Sequence, residues 1–297
     1  MIESSYRYFM STKPNILLEV AALSIRLSAK SPQPHSSKYS PQKFSQPHLL
    51  TCLILRAYLK TTYRGVIEFL EVSSELRRVL QLKRLPHYTT LKYFADRSNV
   101  AEISNLLMAE IIRQFEPPTT EAAIDSTGME TTAASAHFQS RSGKSRQKYV
   151  KLSVCVLVGS LLPTGVVASW GPSNGKQQVQ ALIGRSTESV TPKRLFADAG
   201  NGAEWVHELC RDHMAKKEHR ERIIKPAVHR ADGGINGKYR LRMTAETLKK
   251  KKYGRRWSVE SIMSALKRTT GSTHSARSER ALFSEATLRV LAYALRR

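Results

Sequence analysis

Apolar positions along this chain change period near residue 120. From His48 they recur at helical spacing, through L-L-T-C-L-I-L-R-A-Y-L-K, Y-R-G-V-I-E-F-L-E-V, Ser74–Gln81 and Ala101–Phe115. Pro86 ends the third of these, and Thr89 or Thr90 is placed to cap a further helix, L-K-Y-F-A-D-R. Past E-P-P-T-T at 116–120, where two prolines forbid a continued helix, strand-length runs take over. E-A-A-I-D-S-T-G-M reads as a strand ending at Asp125, and K-Y-V-K-L-S-V-C-V-L-V-G as a long buried strand. Pro163-Thr164-Gly165 reads as a turn leading into a third strand, V-V-A-S-W. A helix over Lys176–Arg185, a strand K-R-L-F-A-D-A-G ending at Asp198, a helix over Ala203–Ala215 and a strand near Arg222–Pro226 follow. Two helices close the series, one over Arg256–Arg268 and one near Ser284–Leu295.

Three meandering strands, then helix, strand, helix, strand and terminal helices, is the order of the ribonuclease H-like fold, an α/β mixed sheet with flanking helices. An all-α N-terminal domain precedes it. The expected division is an N-terminal segment and flexible linker over 1–47, a helical DNA-binding domain over 48–116, and the ribonuclease H-like catalytic domain over 117–297. The linker assignment rests on S-P-Q-P-H-S-S-K-Y-S-P-Q-K-F-S-Q-P at 31–47, rich in Pro, Ser and Gln. A short apolar helix or strand pair precedes it. Within 48–98, basic residues between apolar positions suit a helix-turn-helix, with Thr89–Arg97 as the groove helix.

Charge narrows the partner. The chain carries 48 Lys+Arg against 24 Asp+Glu, a formal +24 over 297 residues, far beyond what solubility needs. Nucleic acid fits this spread of cations better than a membrane, because no apolar stretch approaches the roughly 18 residues of a spanning helix. The N-terminus lacks a signal-peptide pattern, so a cytoplasmic protein is expected. Cys52, Cys155 and Cys210 form no C-x-x-C pair, which argues against a disulfide framework. His207, Cys210 and His213 make an H-x-x-C-x-x-H run, read as ordinary helix residues for want of a fourth ligand at zinc spacing.

The run Y-G-R-R-W-S-V-E-S-I-M-S-A-L-K at 253–267 carries candidate chemistry. Trp257, Val259, Ile262, Met263 and Leu266 form its apolar side, while Arg256, Glu260, Ser264 and Lys267 fall on one stripe at 100° per residue. Alone, that stripe reads as a solvated face held by i,i+4 ion pairs. In the predicted fold Asp125 and Asp198 come from separate strands and Glu260 from a late helix, so three carboxylates converge. Hard divalent cations take such oxygen donors, and two ions bridging one phosphate stabilise both attacking and leaving oxygens.

Tyr253, Arg256, Glu260 and Lys267 at this spacing, the R-W-S-V-E core, A-A-I-D-S-T-G around Asp125 and L-F-A-D-A-G around Asp198 resemble DDE transposases of bacterial insertion sequences, in the class with the Tyr-Arg-Glu-Lys signature. P-H-Y-T-T-L-K-Y-F-A-D-R at 86–97 is similar to the end of that class's N-terminal helical region. The resemblance implies that Asp125, Asp198 and Glu260 are catalytic and hold two Mg²⁺ ions, with Mn²⁺ able to substitute. It implies that Arg256 and Lys267 contact DNA at the transposon end and that Tyr253 positions the DNA or a flipped base. A metal-activated water cuts one strand, and the freed 3′ hydroxyl attacks target DNA in line. The implied partners are double-stranded DNA, as transposon ends and target, and a second copy in a synaptic homodimer; no membrane is implied. About 60 residues separate Asp198 from Glu260, too few for the large β-rich insertion of some relatives.

Two positions depart from the pattern. Asn201-Gly202 stands where Tyr-Asp is usual, and Gly175 where an Asp is frequent, which is expected to loosen local packing or hydrogen bonding. A catalytically silent DNA-binding protein derived from such a transposase is therefore the alternative. The basic stretch Arg230–Arg242 and Lys249–Lys252 is suited to track a phosphate backbone, with Tyr239 to stack or pack. His137, among Ser135, Ser140 and Ser142, has no carboxylate-oriented partner for nucleophilic catalysis.

Overall fold

The computed structural model describes residues 15–30, 43–97, 99–115, 121–131, 149–173, 176–214, 220–227 and 234–297. The E-P-P-T-T hinge, most of the predicted linker, the loop with His137, and Gly175 lie outside them. The N-terminal half is helical: α1 (Ile16–Ser28), α2 (Gln46–Tyr58), α3 (Tyr63–Val72), α4 (Ser74–Val79), α5 (Tyr88–Ala95) and α6 (Val100–Phe115). Side chains of Asn15, Ser45, Thr62 and Ser73 cap the first four. Thr89 and Thr90 lie inside α5 instead of capping it; the helix starts at Tyr88, with His87 at the cap position.

The sheet holds β1 (Glu121–Thr131), β2 (Tyr149–Leu157), β3 (Pro163–Gly171), β4 (Arg194–Ala197) and β5 (Glu221–Ile224) in the order β3-β2-β1-β4-β5. β2 runs antiparallel to β1 and β3, while β1, β4 and β5 are parallel. This is the ribonuclease H-like arrangement predicted above. A short β6 (Thr273–His274) pairs with the far end of β1.

Two strand boundaries differ from the sequence reading. β1 does not end at Asp125: it runs six residues further, with Asp125 opposite Val154. Ser126 and Ser153 pair there through their hydroxyls at 2.7 Å, and Gly128 leaves room for the Tyr149 ring, 3.1 Å from where a Cβ would stand. The turn after β2 lies before Pro163, around Gly159 at φ 100°, a value that favours glycine. Pro163 is instead the first residue of β3, a place where a missing N–H is tolerated.

Alternation along the strands sends side chains to two packed faces. Ala122, Ile124, Cys155, Leu157, Leu195 and Ala197 meet α7 (Lys176–Thr187) and α8 (Glu204–Met214). Ala123, Met129, Val150, Val154 and Phe196 face the other way, in one apolar cluster with Val259, Ile262 and Leu266 of α10 (Trp257–Thr270) and with the N-terminal helices. A short α9 (Ala245–Lys250) precedes α10.

The last helix, α11 (Glu279–Arg296), starts earlier than predicted because Ser278 caps it through the Ala281 N–H. It packs on α2, α6 and β3, and nearly every residue from Ala281 to Leu295 is buried. That burial includes charge. The Glu285 carboxylate accepts from Arg56 of α2 at 3.2 Å and from Arg289 at 2.9 Å, and the Ser275 and Ala276 N–H groups point to it. Arg289 also donates to the Gly271 and Thr273 carbonyls, and the Arg56 guanidinium lies 4.1 Å from the centroid of the Tyr63 ring. No helix among the described residues is long and apolar enough to cross a membrane.

Candidate active site

Two neighbouring parallel strands deliver the first pair of acids. Ile124 and Ala197 are register partners, so Asp125 and Asp198, each one residue further, emerge side by side where β4 ends. Asp125 is about one fifth exposed. Burial pushes its carboxyl above the ordinary value; the Ser126 N–H, donating at 2.7 Å, opposes the shift and Asp198 adds to it, while Arg256 opposes it again. Asp198 heads the short turn Ala199–Asn201, and its Oδ1 accepts from the Asn201 backbone N–H at 3.2 Å and from Asn201 Nδ2 at 2.8 Å. The Asn201-Gly202 departure therefore does not loosen this corner. Asn201 is buried and fixes the Asp198 rotamer, and a Cβ on Gly202 would stand 2.3 Å from the Lys225 carbonyl oxygen.

The 253–256 segment folds as a single tight turn leading into α10. Its Tyr253 hydroxyl donates to the Ala197 carbonyl at 3.2 Å, fastening the turn beside Asp198. From the end of this turn Arg256 reaches two acids at once: Nη1 donates to Asp125 Oδ2 at 2.9 Å and Nη2 to Glu260 Oε1. Burial works against the Arg256 charge, but Tyr253, Asp125 and Glu260 outweigh it and hold its pKa above the ordinary value. A second chain of ion pairs ties the same segment to the near ends of β1, β4 and β5. Arg255 meets Glu121, Arg194 meets Glu121 and Glu221, and Lys251 meets Glu221.

Asp125, Asp198, Tyr253 and Arg256 are thus gathered at one place, and Glu260 joins them through Arg256. Lys267 does not. It lies seven residues beyond Glu260 on α10, roughly 10 Å along the helix axis, and its side chain makes no hydrogen bond or ion pair among the described residues. Trp257, read as part of the apolar side, is 64% exposed beside the site because it opens the helix before the first buried turn. His207 and Cys210 are buried in α8 while His213 is exposed, so the H-x-x-C-x-x-H run does not converge.

Lys151 escaped the sequence reading. It sits on β2, 9% exposed, and donates to the Ser173 carbonyl at 2.6 Å; burial lowers its pKa while the Asp198 carboxylate favours its charge. The only signal was a lone lysine within an otherwise apolar strand.

For a hard divalent cation the donor set is suitable: carboxylate oxygens from Asp125, Asp198 and Glu260. Among the described residues no three such side chains stand within reach of a single ion. The guanidinium of Arg256 bridges Asp125 and Glu260.

A family described as "Transposase DDE domain" matches residues 116–295. No curated protein matches the chain. Among solved structures, the piggyBac transposase synaptic complex with hairpin DNA, determined by cryo-electron microscopy, is similar at 10% identity and a TM-score of 0.43, over 95% of this chain and 72% of that one.

Proposed function

The chain belongs to the transposase DDE domain family, and from that premise we propose that it is the transposase of a bacterial insertion sequence, in the Tyr-Arg-Glu-Lys class. It would bind the element's terminal inverted repeats and carry out metal-dependent strand cleavage and strand transfer. The observation that carries this reading is the Arg256 fork. One cation expected to meet DNA phosphate is shared by two of the three acids expected to hold metal. Asp125, Asp198 and Glu260 would hold two Mg²⁺ ions, which supply Lewis-acid stabilisation of the attacking and leaving oxygens of an in-line phosphoryl transfer.

The side chains divide the remaining work. A DNA phosphate arriving at the turn competes for Arg256, and as the guanidinium turns to it, Asp125 and Glu260 lose their counter-ion and become free to ligate. The charge of these acids is thereby partly offset until substrate arrives, since uncompensated carboxylates would raise one another's pKa values. Tyr253, anchored beside Asp198, positions the end of the strand. Lys267 grips a phosphate further along α10, and two copies of the chain pair two DNA ends. A silent DNA-binding descendant is favoured only by Arg256 remaining on Asp125 in the complex.

The test is cutting of DNA that carries the inverted repeats, in Mg²⁺, by the full chain. Asp198→Ala and Glu260→Ala are expected to abolish cleavage and leave DNA binding in place. Cleavage at the unmodified rate by Glu260→Ala would remove it from the triad, and wild-type protein that binds the ends without cutting them in Mg²⁺ or Mn²⁺ would establish the silent reading.

A further inference from the structure

Away from the acids, the outer edge of the sheet opens into a second basic recess. Its cavity of about 290 Å³ lies between β5, α8, α9 and the turn at 237–243. Arg220, Arg222, Arg242 and Lys251 line it against one acid, Glu221. That acid is already answered by Lys251 and by Arg194, the latter at 2.9 Å, so the recess keeps an excess of positive charge. The side chains of Arg220 and Arg242 make no hydrogen bond or ion pair among the described residues.

The wall adds an unanswered polar atom. His207 is 1% exposed, lines the cavity, and its Nε2 has no hydrogen-bond partner. Burial, with help from Arg222 and Arg240, pushes its pKa down to about 4, so the ring adds no positive charge to the wall at physiological pH. Native structures leave few buried polar atoms unpaired.

The aromatic residue in the recess is already engaged. Tyr239 stacks on His207 at a centroid distance of 6.0 Å, has the Arg222 guanidinium 5.3 Å from its centroid, and accepts from Arg211 through its hydroxyl at 2.9 Å. No free platform is left for a nucleobase, which argues for a ligand recognised by negative charge and acceptor oxygens. Position supplies the rest. Glu221 stands four positions before Lys225, which is level with Asp198 on the neighbouring strand, so the recess lies roughly 14 Å from Asp198. At about 3.4 Å of axis per nucleotide, that is roughly four nucleotides along a strand.

We propose that this recess grips a backbone phosphate of the DNA, about four nucleotides from the bond held at Asp125 and Asp198, without reading its sequence. The proposal rests on the transposase reading for the identity of the polyanion. Arg220 and Arg242 supply the contacts.

The test is the salt dependence of duplex binding by the full chain, measured by fluorescence anisotropy on two unrelated sequences. Arg220→Gln/Arg242→Gln is expected to reduce the slope of log K against log salt by about 1–2, at about 0.9 per lost phosphate contact, equally on both sequences. Arg220→Lys/Arg242→Lys is expected to keep the slope. An unchanged slope in the Gln variant with an unchanged melting temperature overturns the grip but leaves the transposase reading intact. Loss of affinity for one sequence only also overturns it. A Gln variant that loses inorganic pyrophosphate binding while its DNA slope stays unchanged makes the recess a small-anion site and overturns it too. Wild-type protein with no salt-dependent DNA binding overturns both readings.

Discussion

Arg56 and Arg256 each reach a carboxylate contributed by a distant element, yet they stand in opposite surroundings. Arg56 meets Glu285 where both side chains are 4% exposed or less, within a cluster completed by Arg289, backbone N–H groups and backbone carbonyls. Arg256 meets Asp125 and Glu260 at the rim of the sheet, itself one fifth exposed and with Glu260 more than half exposed. In the first cluster the partners are other parts of the protein and little of either side chain meets solvent. In the second, solvent reaches the ions, so the partners of the cation are exchangeable. The same charge pairing therefore fixes a fold in one place and leaves exchangeable partners in the other.

Removing the counter-ion of the closed cluster should show the largest effect. Glu285→Ala leaves Arg56 and Arg289 buried without a carboxylate, a change that costs about 3–5 kcal/mol and lowers the melting temperature by at least roughly 6 °C. A drop below roughly 2 °C in calorimetry would put this cluster with ordinary surface pairs and erase the contrast.

Acid should separate the two clusters next. Burial alone would raise the Glu285 carboxyl, but His274, Arg56 and Arg289 together hold it well below its ordinary value of 4.5. Folding thus favours its ionised form: the stabilisation is complete above the unfolded carboxylate pKa and is lost as pH falls through the folded one. His274, kept neutral chiefly by burial below its ordinary 6.5, adds a loss in the same direction that begins at higher pH. Urea denaturation between pH 7 and 3 should show a steep acid loss for wild type and a shallower one for Glu285→Gln. Parallel curves would contradict the assignment.

Opening the second cluster should hardly move stability. Arg256→Ala is expected to change it by less than about 1 kcal/mol, as for partly exposed pairs, while lowering cleavage at least tenfold. The smallest effect is expected for Asp125→Asn, because burial disfavours the charge that this substitution removes. Its stability at pH 7 should be unchanged or slightly raised, with cleavage lost. A large destabilisation by Asp125→Asn would mean that the Arg256 fork is a structural pair like the buried one.

How much of this was readable in the sequence depended on whether a feature is local. The strands and helices announced themselves by period, because their apolar faces repeat within ten residues. The length of β1 did not, since Ser126, Thr127 and Gly128 look like turn chemistry until Ser153 and Tyr149 are placed opposite them. In α11, Glu285 and Arg289 look like an ordinary i,i+4 surface pair. They are buried only because α2, α6 and β3 cover the helix, and all three are far away in sequence. The carboxylates could be picked out as strand-borne acids beside a charged helix. That Arg256 joins Asp125 across 131 positions required the fold.

The seat of α11 also sets a clock on biosynthesis. Leu53 and its neighbours in α2 pack on a helix whose last turns are encoded some 230 residues later. At roughly 5–20 residues per second, the ribosome needs on the order of 10–50 s to deliver that partner. During this interval the apolar face of α2 and the Arg56 side chain lack the surface and the anion that will cover them. The early helices are a natural client for a chaperone over that window, and faster synthesis shortens it.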